Sequence, residues 1–246
     1  PGDPIVFIHG CPLPGSSNEN ARSVFDAMVQ RFRDVGYPER CLRAITFSEE
    51  DGACGPNREY AEEIADFVSG VLADTGAQKV DMVAHSMGGL ASRLFIKNGG
   101  AALVRDYVVL AGANHGAALP TAGSAIPTVE PSKNRDGSAD MFLYDCRPGS
   151  VQRELNGCLT PVGRLEDADE TPGEVVNYLA LWNDVDELTV PTESACLNMT
   201  RMNDCSDPVN ERVHVDGLVR HDGIASDAKV FERVCEHLTG SPCDVP

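Results

Sequence analysis

A serine stands between an apolar, β-prone run and a pair of glycines in Val80-Asp81-Met82-Val83-Ala84-His85-Ser86-Met87-Gly88-Gly89. That placement suits a nucleophile. On a tight strand-to-helix turn the hydroxyl is presented above the sheet, and small residues two before and two after keep the backbone from clashing with itself. Ala84 and Gly88 fill those two positions. Plain N-capping of the following helix would also use a serine here, so Ser86 needs partners before a chemistry can be assigned. An alcohol is a weak nucleophile at neutral pH. A base must take its proton, and a carboxylate must fix the tautomer of that base.

Candidates for both partners lie downstream. The segment Trp182 to Pro191 carries three carboxylates after an apolar run, Asp184, Asp186 and Glu187. Asp186 is the first choice for the acid and Asp184 the second, against the alternative that all three are solvated turn residues. His221 lies in Gly217 to Gly223, after the last expected strand and before the last helix. It is the expected base. His214 falls within a strand, and His237 in the final helix suits a surface or capping role. An oxyanion formed by attack on a carbonyl needs two backbone N–H donors placed in advance. Met87, directly after the serine, supplies one. In His9-Gly10-Cys11-Pro12 the Cys11 amide supplies the other, since Pro12 has none, although His9-Gly10 also reads as a tight turn with a hydrogen-bonded histidine. His9, His85, His115 and Leu13 are candidates for lining the pocket, with a catalytic role for His115 not expected.

The elements that must hold these residues alternate. Ile5 to Ile8 is a continuously apolar run, read as a strand buried on both faces. Asn18 to Val35 has helical spacing and closes at Gly36. Cys41 to Phe47 reads as a strand, and Tyr60 to Leu72 marks a helix stopped by Gly76. Lys79 to Ala84 is the strand before the turn, Met87 to Asn98 the helix after it, and Tyr107 to Ala111 another strand. From Gly112 to Gly173 the pattern breaks into a Pro-, Gly- and Ser-rich stretch with helical signal around Ser150 to Leu155, a long loop that could form a lid. A strand over Val175 to Trp182, another over Arg212 to Val215 and a helix over Ala225 to Leu238 complete the chain. Strand–helix alternation implies βαβ units with right-handed crossovers. The expected fold is α/β, a doubly wound, mostly parallel sheet with a lid or cap loop at about 112–173, in one domain over 1–246.

Composition narrows the partners. A net charge of −18 disfavours nucleic acid and anionic membrane surfaces. No run of about 18 apolar residues exists to span a membrane, and the start at Pro1-Gly2 reads as a processed or trimmed N-terminus. A monomer acting on a small-molecule or interfacial substrate is expected. The nine cysteines lack paired Cys-x-x-Cys motifs, so no metal and no cofactor is expected. Local disulfides in an oxidising compartment suit this density better than buried free thiols. Pairing near neighbours would join Cys41 with Cys54, Cys146 with Cys158, Cys196 with Cys205 and Cys235 with Cys243, leaving Cys11 unpaired, although sequence alone does not fix the pairing.

Taken together, the segments Val6 to Gly10, Val80 to Arg93, Leu110 to Gly116, Ser150 to Asn156, Trp182 to Pro191 and His221 resemble the α/β-hydrolase lipases and esterases. The resemblance is specifically to compact secreted lipases with an Ala-His-Ser-Met-Gly elbow. The chain order Ser, Asp, His matches that superfamily. Asp-Glu-aliphatic followed shortly by Pro is the usual setting of the acid, which favours Asp186. Asn114-His115-Gly116 resembles the Asn-His-Gly bordering the active site of these lipases. The resemblance implies a secreted carboxylic-ester hydrolase acting on acylglycerols or similar acyl esters through an acyl-enzyme. An extracellular polyester (polyhydroxyalkanoate-type) depolymerase, an acyltransferase, and a non-catalytic binding protein on the same fold are the alternatives. The sequence departs from the pattern in two places, the stiff Cys11-Pro12-Leu13-Pro14 and the long 112–173 stretch.

Overall fold

The computed structural model describes residues 2–12, 17–48, 54–117, 140–165, 169–217 and 220–243. In chain order the strands are β1 (Ile5–Ile8), β2 (Leu42–Ala44), β3 (Val80–His85), β4 (Val104–Leu110), β5 (Leu159–Thr160), β6 (Gly163–Arg164), β7 (Asn177–Asn183) and β8 (Asn210–Val213). The helices are α1 (Asn18–Arg22), α2 (Asp26–Asp34), α3 (Asn57–Thr75), α4 (Gly88–Lys97), α5 (Val151–Asn156), α6 (Arg220–Gly223) and α7 (Ala228–Thr239). Six strands form one sheet in the order β2-β1-β3-β4-β7-β8, and every pairing in it is parallel. β5 and β6 form a separate antiparallel hairpin.

The apolar runs are continuous because both faces of the sheet are covered. Val6, Ile8, Met82 and Ala84 belong to the core under α3 and α4. Ile5, Phe7 and Val83 point the other way, into the core that holds Phe25, Phe32, Phe231 and Val234. Chain order reverses between β1 and β3. The loops leaving the carboxyl ends of those two strands therefore diverge to opposite sides and leave a crevice there, the position where open α/β sheets take their ligands. Cys11 follows β1 and Ser86 follows β3.

The expected helix over 18–35 is broken. Ser23 Oγ donates to the Asn20 carbonyl at 2.7 Å, a local bond that competes with the helical ladder, and a 3₁₀ turn over Ser23–Phe25 separates α1 from α2. The expected strand over 41–47 shrinks to Leu42–Ala44 at the sheet edge. The expected helix over 225–238 begins at Ala228, because the Asp227 side chain accepts the Lys229 and Val230 amides at 2.8 and 3.0 Å and fixes the cap. β8 ends at Val213, so His214 follows the strand instead of lying in it.

The cysteine pairing needs a correction. Cys11 is bonded to Cys54 and Cys41 is the buried free thiol, while the other three disulfides join Cys146 with Cys158, Cys196 with Cys205, and Cys235 with Cys243 as expected. The reason is the parallel register, with Ile5 opposite Leu42 and Phe7 opposite Ala44. Cys41 precedes β2 and lies at the amino end of the sheet. Cys11 and Cys54 come after β1 and β2, at the carboxyl end. No helix among the described residues is long and apolar enough to cross a membrane.

Candidate active site

Ser86 sits at φ +55, a left-handed conformation that non-glycine residues adopt only when their surroundings enforce it. Its amide donates to the Leu110 carbonyl at 3.0 Å, and its own carbonyl accepts the Gly89 and Ala113 amides at 3.0 and 3.2 Å. The end of β4 and the turn after it thus hold both sides of the elbow. The required small residues are enforced by contact. A Cβ on Gly88 would lie 2.5 Å from the His9 carbonyl oxygen, and one on Gly10 would lie 2.6 Å from Ser86 Cβ.

The three carboxylates after β7 have three different partners. Asp184 pairs with His214 at 2.7 Å on the exposed surface. Asp186 is buried, and its Oδ2 and Oδ1 lie 2.8 and 3.0 Å from His221 Nδ1. Glu187 accepts the His221 and Arg220 amides at 3.2 and 3.1 Å, which fixes the turn carrying His221. Leu188 and Thr189 amides both donate to Asp186 Oδ1 at 2.8 Å. Burial alone would push the Asp186 carboxyl up, but the His221 hydrogen bond and charge, with these amides, outweigh it and hold the carboxyl below its ordinary value. For His221, burial pulls down and the Asp186 hydrogen bond and charge pull up, and the net shift is upward. With Nδ1–H given to the carboxylate, Nε2 carries the lone pair.

His85 connects this pair to the elbow. Its Nε2–H donates to the His221 carbonyl at 2.9 Å, and its ring centroid lies 4.7 Å from that of His221. Burial, then the charge of His221, lowers its pKa to about 4, so the ring is neutral. His85, His221 and Asp222 have donor atoms within 4.8 Å of one another, close enough to share an ion. His85 Nε2 and His221 Nδ1 are, however, already taken up by the bonds just described.

The remaining candidates divide. Met87 directly follows Ser86, and Cys11 directly follows Gly10, which packs against Ser86; among the described residues neither amide is taken up by a backbone or side-chain acceptor. His9 is fully buried. Its Nδ1–H donates to the Gly10 carbonyl at 2.7 Å and its Nε2 accepts the Phe47 amide at 3.4 Å. It anchors the loop. His115 is also buried, with Nδ1 3.2 Å from the Ser194 carbonyl and Nε2 3.2 Å from Glu170. Leu13 lies outside the described residues.

Sequence reasoning missed the charged cluster behind this wall. Arg93 of α4 is fully buried and donates to the Glu170 carbonyl and to Asn156 Oδ1, both at 2.7 Å. Asn156 in turn donates to the Asn114 carbonyl at 2.6 Å. Burial would raise the Glu170 carboxyl, but His115, Arg93 and Arg164 hold it below its ordinary value. Charged residues in a sequence ordinarily mark a solvated face, so no signal pointed inward.

Comparison with known proteins extends these observations. The family model described as lipase (class 2) matches residues 2–211, a span that includes Ser86 and Asp186 and stops short of His221. A non-heme chloroperoxidase, CPO-A1, of Kitasatospora aureofaciens is 30% identical over 156 residues, which are 62% of this chain and 48% of that protein. The chain spans about half the length of that relative. Lipase B of Aspergillus fumigatus has a similar structure, with a TM-score of 0.59 at 14% identity over 99% of this chain and 54% of that one. A Listeria innocua gene product gives a TM-score of 0.55 at 15% identity, covering 99% of this chain and 96% of its own. At these identities the structural likeness is one of fold.

Proposed function

We propose that this chain, which belongs to the class 2 lipase family and has the α/β-hydrolase fold, is a serine carboxylic-ester hydrolase acting on acylglycerols or similar acyl esters. The observation that carries the reading is the buried His221–Asp186 hydrogen bond at 2.8 Å, joined through the His221 carbonyl to His85, the residue before a strained Ser86.

Ser86 Oγ attacks the ester carbonyl carbon while His221 Nε2 takes its proton. Asp186 holds the ring in the required tautomer and stabilises the imidazolium. The Cys11 and Met87 amides receive the oxyanion. As the tetrahedral adduct collapses, the imidazolium proton passes to the departing alkoxide, leaving an acyl-Ser86 and an alcohol. Water, deprotonated by His221, then attacks the acyl carbonyl; the acyl–Oγ bond breaks as His221 returns the proton to Ser86, releasing the carboxylic acid and restoring the free serine. Four disulfides among the described residues support secretion into an oxidising compartment.

The test is a p-nitrophenyl ester series on wild type and Ser86→Ala. Hydrolysis with a clear chain-length optimum, absent from the variant, supports the reading. Full activity in Ser86→Ala would sink it. Parallel assays on emulsified triglyceride and solid polyester separate a lipase from a depolymerase. A halide-oxidation assay with peroxide tests the activity named for the chloroperoxidase relative.

A further inference from the structure

The amide assigned to the oxyanion belongs to a residue whose side chain is covalently tied elsewhere. Cys11 is bonded to Cys54, with the two Cα atoms 5.0 Å apart, so the loop after β1 and the segment leading into α3 move as one. Both ends of this tie are fastened. At the Cys11 end, His9 is held by the Gly10 carbonyl and by the Phe47 amide, and its ring meets Phe47 edge-on at 4.8 Å. At the Cys54 end, the amide of Gly55 donates to Tyr60 Oη at 2.8 Å. The Tyr60 ring stacks on Phe47 with centroids 3.7 Å apart and planes 3° from parallel.

These contacts close a circuit: Cys11, Cys54, Gly55, Tyr60, Phe47, His9, Gly10 and back to Cys11. Gly10 in this circuit lies against Ser86. A Cβ there would stand 3.1 Å from Ser86 Oγ. Oxyanion stabilisation depends on donors that are fixed before charge develops. The stretch from His9 to Pro12, which carries Cys11 and lies outside any strand, has these contacts to hold it.

We infer that Cys54 and Tyr60 are positioning residues for the oxyanion donor: the Cys11–Cys54 disulfide and the Tyr60–Phe47 stack together clamp the Cys11 amide over Ser86. This rests on the proposed esterase reading. A disulfide that only added stability would act on the unfolded chain and leave turnover alone. One that positions the donor acts on kcat.

The experiment is steady-state hydrolysis of p-nitrophenyl butyrate by wild type, Cys11→Ala/Cys54→Ala, Tyr60→Phe and the control Cys146→Ala/Cys158→Ala, with thermal melts alongside. The clamp predicts that the Cys11/Cys54 variant loses about 10- to 100-fold in kcat at unchanged KM. The affinity for an alkyl boronic acid, whose tetrahedral adduct places an oxygen in the same site, should weaken in step. Tyr60→Phe keeps the stack and the disulfide but frees Gly55, so it should show a smaller loss in the same two quantities, and it remains informative if the cysteine variant does not fold. The control should melt earlier with kcat unchanged. Folded Cys11/Cys54 and Tyr60 variants with wild-type kcat and boronate affinity would overturn the inference while Ser86→Ala stays inactive. Activity in Ser86→Ala would overturn the esterase reading and the clamp with it.

Discussion

Gly10 packs against Ser86 so closely that a methyl group on its Cα would stand 2.6 Å from Ser86 Cβ and 3.1 Å from Oγ. A distance under 3.0 Å forces a shift, here of the Ser86 elbow or of the loop after β1. Gly10→Ala should therefore lower the kcat of the folded protein by about 100-fold. Gly88→Ala meets the main-chain carbonyls of His9 and Ile8 instead, and should cost about 1–3 kcal/mol of stability. Steady-state kinetics and thermal melts on the two variants separate the effects.

The division of labour among the carboxylates after β7 gives a second prediction. Asp186→Asn preserves shape but reverses the hydrogen bond that sets the His221 tautomer, and kcat should fall about 10⁴-fold. Asp184→Asn breaks only the exposed pair with His214 and should leave kcat at the wild-type value. Equal losses in both would reject Asp186 as the acid.

The upward shift of His221 sets the pH dependence. Hydrolysis needs Nε2 unprotonated, so activity should rise with pH through a value above 6.5. Asp186→Asn removes the strongest of the groups that raise the ring, leaving burial, which lowers it, opposed by Asp222 and Glu187. Imidazole titration by NMR in Ser86→Ala and in Ser86→Ala/Asp186→Asn should place the second ring below the first. The opposite order would contradict the assigned pair.

Acid sensitivity should come in part from His9, as it should from His85. Burial, partly offset by the Gly10 carbonyl, lowers the His9 pKa to about 4 from 6.5. Below pH 6.5 the unfolded chain takes up a proton that the folded chain refuses until about pH 4, so stability falls as pH drops across that window and levels off beneath it. The full effect is about 3 kcal/mol for this group. Denaturant melts of wild type and His9→Gln between pH 7 and pH 4 should show a shallower decline in the variant.

What the sequence disclosed, and what it hid, follows from the range of each interaction. The positions of Ser86 and Asp186 were legible because each follows a strand marked by its own apolar run, and that of His221 because it lies between the last strand and the last long helix. The partners of Asp184 and Glu187 were not, since turn residues carry no record of what the next loop brings to them. The Cys11–Cys54 bond was hidden for a different reason. Pairing by nearness along the chain favours Cys41, and only the parallel register of β1 and β2 reveals that Cys41 and Cys54 lie at opposite ends of the sheet. Arg93 and Glu170 look like surface charges until the fold buries them together.

The most direct test of a serine-based acyl transfer is labelling by an alkyl phosphonate followed by peptide mass analysis. The account predicts one adduct per chain, on the peptide containing Ser86, formed in step with loss of ester hydrolysis and blocked in His221→Ala. Loss of hydrolysis with the mass increase on another residue, or hydrolysis that persists with Ser86 fully modified, would contradict it.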